Sequence, residues 1–319
     1  MVATASPKFK APSHHVRSTS FPSTSHPLTL AVEERVCRLR ASEALSSTCS
    51  SCSPSSSLHH NLTALHELCE CVDNLLQLPI TQQALSHEQH EKWVDEVLDG
   101  SLKLLDVCGT TRDVLSLTKE SILDLESSLR RRRGGEAGLS TEFVAYAISR
   151  KKVNKLIQKC LGGLKKMEKR GFSALFEKDD HDLVAIVSIL KEVEAITVTV
   201  FQSISSFISG PKAQAKPIGW SLVSKLVQTN KRITSSAASQ GDKDEYCNEM
   251  GRLDGALGAL NCQTQKSSSS SFKGIDAAEL QNAQNQLEAV EMSIHGLEDG
   301  LECLFRRLIK IRVSPPQHP

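Results

Sequence analysis

Aromatic residues are scarce in this chain: two Trp, two Tyr and nine Phe among 319 residues. That argues against an aromatic-rich β-sandwich, a stacking platform for single-stranded nucleic acid and an aromatic-lined sugar cleft. Net charge is nearly absent too, because 38 Lys and Arg against 37 Asp and Glu leave +1. No overall charge draws the chain towards nucleic acid or a membrane. Long uncharged apolar runs are missing as well. The richest window, Leu183 to Ile208, carries Lys191, Glu192 and Glu194 near its middle, each costly at a bilayer centre, so no spanning helix is expected. Proline is absent between Ile80 and Gly210 and again between Ile218 and Ser314. Stretches of that length without proline are what helices require.

The chemistry of catalysis has no recognisable carrier. There is no Gly-x-x-x-x-Gly-Lys-Ser/Thr loop, no Gly-x-Ser-x-Gly elbow and no His-Glu-x-x-His. The ten cysteines follow no apolar leader, which suits a reducing cytoplasm, where the Asn61-Leu-Thr63 glycosylation acceptor is idle. Cys49, Cys52, His59, His60, His66, Cys69 and Cys71 could ligate zinc on paper. Cys49 and Cys52 lie in a serine run, however, and Cys69 and Cys71 point about 200° apart on a helix. Neither a metal nor a cofactor is expected. Cys108, Cys160 and Cys303 read as helical cysteines, with only the lysines around Cys160 to favour a thiolate.

What the chain does have is helical periodicity. Residues 1–29 form a Ser/Pro-rich tail expected to be disordered; its composition superficially matches a transit peptide, but four prolines in residues 1–32 break the required amphipathic helix. Residues 30–57 read as a short helix and a serine-rich linker. Residues 58–312 read as an all-α helical bundle and residues 313–319 as a disordered, Pro-rich end. Helices are expected from Leu58 to Pro79, from the Ser86-His-Glu-Gln89 capping box through Leu129, and from Ser140 or Thr141 through Met167. Further helices follow from Asp180 or Asp182 to Gly210, over Trp220 to Ser235 and over Asp244 to Leu260. The β-branched run Ile196 to Val200 could locally pass for a strand, but the surrounding 3.6-residue pattern decides for helix. In the last helix Leu287, Val290, Ile294, Leu297, Leu301, Leu304, Leu308 and Ile311 recur by threes and fours. Such a seam suits either the core of an antiparallel bundle or a coiled coil, including self-association through this helix. The expected architecture is an elongated bundle of long amphipathic helices with a coiled-coil-like C-terminal helix.

The near-zero net charge conceals segregation. From His59 to Leu129 there are 13 acids and 4 bases, and from Arg130 to Arg170 there are 13 bases and 3 acids. Val153, Ile157, Cys160, Leu164 and Met167 cluster within about 80° on a helical wheel. Lys152, Lys155, Lys159, Lys166 and Arg170 lie opposite. The basic amphipathic stretch 143–170 can be a solvated face beside acidic helices, a contact for an acidic protein, or a peripheral membrane surface. Nothing accompanies it that reads bases, so nucleic acid is not indicated. The Arg130 to Arg133 cluster also has the form of a nuclear-localisation signal, although arginine is common at helix ends. In the tail, Arg17, Ser18, Ser20 and Pro22 have the spacing Arg-Ser-x-Ser-x-Pro, similar to the phosphoserine ligand of 14-3-3 adaptors. A phosphate on Ser20 would supply nearly two charges to an arginine cluster.

Four segments carry a family resemblance. They are His15-Val-Arg-Ser-Thr-Ser-Phe-Pro22, Leu65-His-Glu-Leu-Cys-Glu-Cys-Val-Asp-Asn-Leu-Leu-Gln-Leu-Pro79, Trp93 to Cys108, and Leu301-Glu-Cys-Leu-Phe-Arg-Arg-Leu-Ile-Lys-Ile-Arg-Val-Ser314. Together they resemble the plant BYPASS-related family across nearly the whole chain. The resemblance implies a non-enzymatic protein of root and shoot development, associated with control of a mobile root-derived signal, and brings no catalytic residues with it. After Arg-Val-Ser the family continues in an apolar Leu-Leu-Asn-Ile-Leu-like tail, whereas Pro315-Pro-Gln-His-Pro319 stands here.

Overall fold

The computed structural model describes residues 27–46, 53–79, 81–83, 92–131, 137–168, 181–210, 248–267 and 277–313. The helices are α1 (Pro27–Ser46), α2 (Pro54–Leu76), α3 (Lys92–Arg131), α4 (Ala137–Glu168), α5 (His181–Ser209), α6 (Glu249–Ser267) and α7 (Ala277–Val313). No strand occurs among the described residues, and the all-α expectation holds. The capping box at Ser86 and the helix expected over Trp220 to Ser235 lie outside the described residues.

The most apolar helix, α5, sits at the centre and packs against α1, α2, α3, α4 and α6. Its β-branched segment is helical, and within it the Thr197 hydroxyl donates to the Val193 carbonyl at 2.6 Å and Thr199 to Ala195 at 3.1 Å. Those hydroxyls are satisfied inside the helix while Ile196, Val198 and Val200 are buried. Gly210 ends α5 at φ +76°, a conformation that glycine adopts without penalty.

The second organising element is α7, which packs on α2, α3 and α6. Leu287, Val290, Ile294, Leu297, Leu301 and Leu304 are fully buried, and Leu308 and Ile311 are partly buried against the same core. From Leu287 to Leu304 the heptad seam is therefore filled by the chain's own helices. Ion pairs fix its register: Arg112 to Glu302 and Lys119 to Glu298 set α3 antiparallel to α7. On α2, Arg307 and Lys310 meet Asp73, and Gly300 faces Leu62, so α2 runs parallel to α7.

Gly300 is what lets α2 come this close. A Cβ there would stand 3.1 Å from Leu62 Cδ1 and 3.2 Å from Leu62 Cβ, whereas at Gly296 the nearest atom, His59 Cδ2, would be 3.7 Å away. Gly300→Val is expected to cost roughly 1–3 kcal/mol by forcing the helices apart. Gly296→Ala is expected to gain up to about 1 kcal/mol from helix propensity. Urea unfolding of both variants checks the contrast.

Several boundaries differ from those read in the sequence. The helix expected from Leu58 begins at Pro54, where proline's missing N–H costs nothing and its fixed φ suits the first turn. The serine run is not all linker, since the hydroxyls of Ser53 and Ser55 donate to Glu249 at the start of α6. Burial alone would raise the Glu249 carboxyl, but hydrogen bonds from Ser53, its own backbone amide and Ser55 together hold it below its ordinary range. Helix α1 is part of the bundle, with Val32, Val36 and Leu39 buried against α2 and α5. It begins at Pro27, α4 begins at Ala137, and α6 covers Glu249–Ser267 instead of starting near Asp244.

Candidate functional site

The basic stretch singled out by charge is α4, one of the two hairpin-like partners of the acidic α3. Its apolar residues Val153, Ile157, Cys160, Leu164 and Met167 are all buried. Lys151, Lys152, Lys155, Lys159, Lys165 and Lys166 are all exposed, and none makes an ion pair with a described residue. Arg170 lies outside the described residues, as do Arg17, Ser18, Ser20 and Pro22 of the adaptor motif.

At 100° per residue, Lys152, Lys155, Lys159 and Lys166 fall within about 40° of one direction. Val144 and Ile148 share that direction and are exposed. The result is a stripe along α4: two aliphatic side chains, then four lysines. Asp73 and Glu70 of α2 take Arg307 and Lys310 of α7, and the bases of α3, Arg112 and Lys119, take Glu302 and Glu298.

One base of the same block behaves oppositely. Arg150 is 1% exposed, and its Nη1 donates to the Ile208 carbonyl at 2.7 Å while Nη2 reaches Asp254 Oδ2 at 2.9 Å. The Tyr146 hydroxyl donates to Asp254 Oδ1 at 2.9 Å. Burial and the Asp254 charge push the Tyr146 phenol well above its ordinary range. Arg150 thus caps α5 and ties it to α6, and it belongs to the framework and not to the exposed stripe.

A second polar cluster was not visible in the sequence. Fully buried Asn61 donates from Nδ2 to Glu43 at 2.6 Å, Ser42 donates to Asn61 Oδ1 at 2.6 Å, and Ser203 donates to Glu43 at 2.5 Å. This joins α1, α2 and α5. It also places the amide of the Asn61-Leu-Thr63 acceptor inside the protein.

No group of His, Cys, Asp or Glu among the described residues could hold a metal ion. Cys69 is buried while Cys71 accepts from Arg35 Nε at 3.1 Å, so the two thiols point apart as their spacing implies. Burial pushes the Cys69 and Cys108 thiols up to about 12 and raises Cys160. At Cys160 desolvation of the buried sulfur outweighs the lowering hydrogen bond with Thr111. No described helix is long and apolar enough to cross a membrane.

Neither a curated protein nor a solved structure matches the chain. A family model described as Protein BPS1 matches residues 61–314, from the middle of α2 to just beyond α7.

Proposed function

The chain belongs to the BPS1 family, a family of developmental regulators and not a known enzyme family, and from that premise we propose that it acts by interaction in root and shoot development. It catalyses no reaction, works in the cytoplasm, and holds an acidic protein surface against Lys152, Lys155, Lys159 and Lys166 of α4. Through that partner it limits a mobile root-derived signal. The observation that supports this is the unpaired lysine stripe. Lys151 with Lys155, and Lys155 with Lys159, are like charges four residues apart, each pair destabilising an isolated helix by roughly 0.2–0.5 kcal/mol. Charges that oppose the helix and pair with no described residue are suited to an outside partner. A phosphorylated Ser20 offers a second, adaptor-type contact, carried by the tail motif alone.

Val144 and Ile148 favour a second reading. Exposed aliphatic residues continuing a lysine stripe suit a bilayer of anionic lipid, with the aliphatic pair entering the headgroup region.

The test is proximity labelling in plant roots with the wild-type chain and with Lys152→Glu, Lys155→Glu, Lys159→Glu and Lys166→Glu combined. At least a tenfold loss of specific partners at unchanged thermal stability is expected, on the order of 1.4 kcal/mol of binding. An unchanged partner set would refute the protein contact. Flotation with phosphatidylserine vesicles that is lost in Val144→Ser with Ile148→Ser would favour the membrane instead.

A further inference from the structure

Residues of α3 and α4, among them Lys159 and Lys166 of the stripe, line a groove of about 520 Å³. Its floor is apolar, formed by Val107, Leu156, Cys160 and Met167. Gly163 also lines it, with open space at this position, since a Cβ there would meet nothing within 4 Å. The two banks differ in charge. Lys159 and Lys166 line the α4 side, Asp106 and Asp113 line the α3 side, and no ion pair crosses between them. Lys103, also at the rim, is held by Asp99 at 2.7 Å.

A concave apolar floor with a few polar groups at its edges is the usual form of a small-molecule site, and the volume lies within the customary range of about 300–1,000 Å³. We propose that this groove binds an apolar carboxylic acid carrying hydroxyl groups, its carboxylate on Lys159 and Lys166 and its hydroxyls donating to Asp106 and Asp113. Lysine ammonium groups recognise a carboxylate, and an ionised aspartate only accepts, so the opposite bank requires a donor. The charge balance sets the sense of binding. With Lys103 held by Asp99, Lys159 and Lys166 face Asp106 and Asp113 at the groove, and the other exposed lysines of α4 supply the positive excess that favours an anion over a cation. The hydrocarbon lies over Leu156, which is only partly buried, above the buried Val107 and Met167.

Calorimetry with the full chain tests this, using cholate as a rigid hydroxylated carboxylic acid and its uncharged methyl ester, both below their aggregation concentrations. Cholate is expected to bind at least tenfold more tightly than the ester, a difference on the order of 1.4 kcal/mol. Gly163→Phe, which fills open space and raises helix propensity, should abolish cholate binding without lowering the melting temperature. Lys159→Gln with Lys166→Gln should bring cholate down to the ester's level. Lys152→Glu with Lys155→Glu, outside the groove, should weaken partner labelling and leave cholate bound, which separates failure of the groove from failure of the protein contact. Equal binding of acid and ester, binding that survives Gly163→Phe, or association with anionic vesicles but not with cholate would overturn the proposal.

Discussion

Arg150→Met is expected to lower the unfolding free energy by roughly 3 kcal/mol, the low end of what breaking a buried charge pair costs. Methionine keeps the stem that packs between α4 and α5 but removes every donor. The Ile208 carbonyl then loses its 2.7 Å bond and the Asp254 carboxylate its 2.9 Å bond, at the C-terminal end of a helix whose last carbonyls have no partner within the helix. Asp254 is 25% exposed, and water can recover part of its loss, which is why the low end applies. Adding Asp254→Asn should restore part of the stability, because the orphaned charge goes with the partner that required it. Urea unfolding followed by circular dichroism measures both steps; equal stabilities for wild type and Arg150→Met would show that Arg150 holds nothing together.

Leu297→Ala is expected to cost about 2–5 kcal/mol, the range for emptying a fully buried leucine site. Leu308→Ala, at the partly buried end of the same seam, should cost clearly less. The comparison also distinguishes the two arrangements that a heptad allows. A seam packed within one chain gives an unfolding midpoint independent of protein concentration, whereas a seam shared between copies makes it rise with concentration. The burial of Leu287 through Leu304 against α2, α3 and α6 predicts no dependence.

The helical pattern was legible because it is local: Val153, Ile157, Cys160, Leu164 and Met167 of α4 and Leu287 through Leu304 of the α7 seam are buried on the face their own spacing defines. Helix starts were less so. Pro54 and the serines around it resemble a linker in composition, and only the contact with Glu249 on a distant helix shows them to be structural. The excess of acid in residues 59–129 was visible, but not its partners, since Arg307 and Lys310 lie more than 200 residues away and are brought to Asp73 and Glu70 by the parallel packing of α2 and α7. Arg150 carried an overlooked signal. It was grouped with the lysines by charge, yet it stands four residues after Tyr146 and three before Val153, on the buried side of the wheel. The groove had no signal of its own, because it is lined jointly by residues of two helices about 50 positions apart in the chain.

The stripe on α4 is best judged in the plant. In a line lacking the chain, a copy bearing Lys152→Glu, Lys155→Glu, Lys159→Glu and Lys166→Glu should accumulate to the wild-type level, since exposed unpaired lysines add nothing to the core. It is expected nonetheless to fail to restore root and shoot growth. Full restoration by this variant would contradict the assignment of α4 as the surface through which the protein acts.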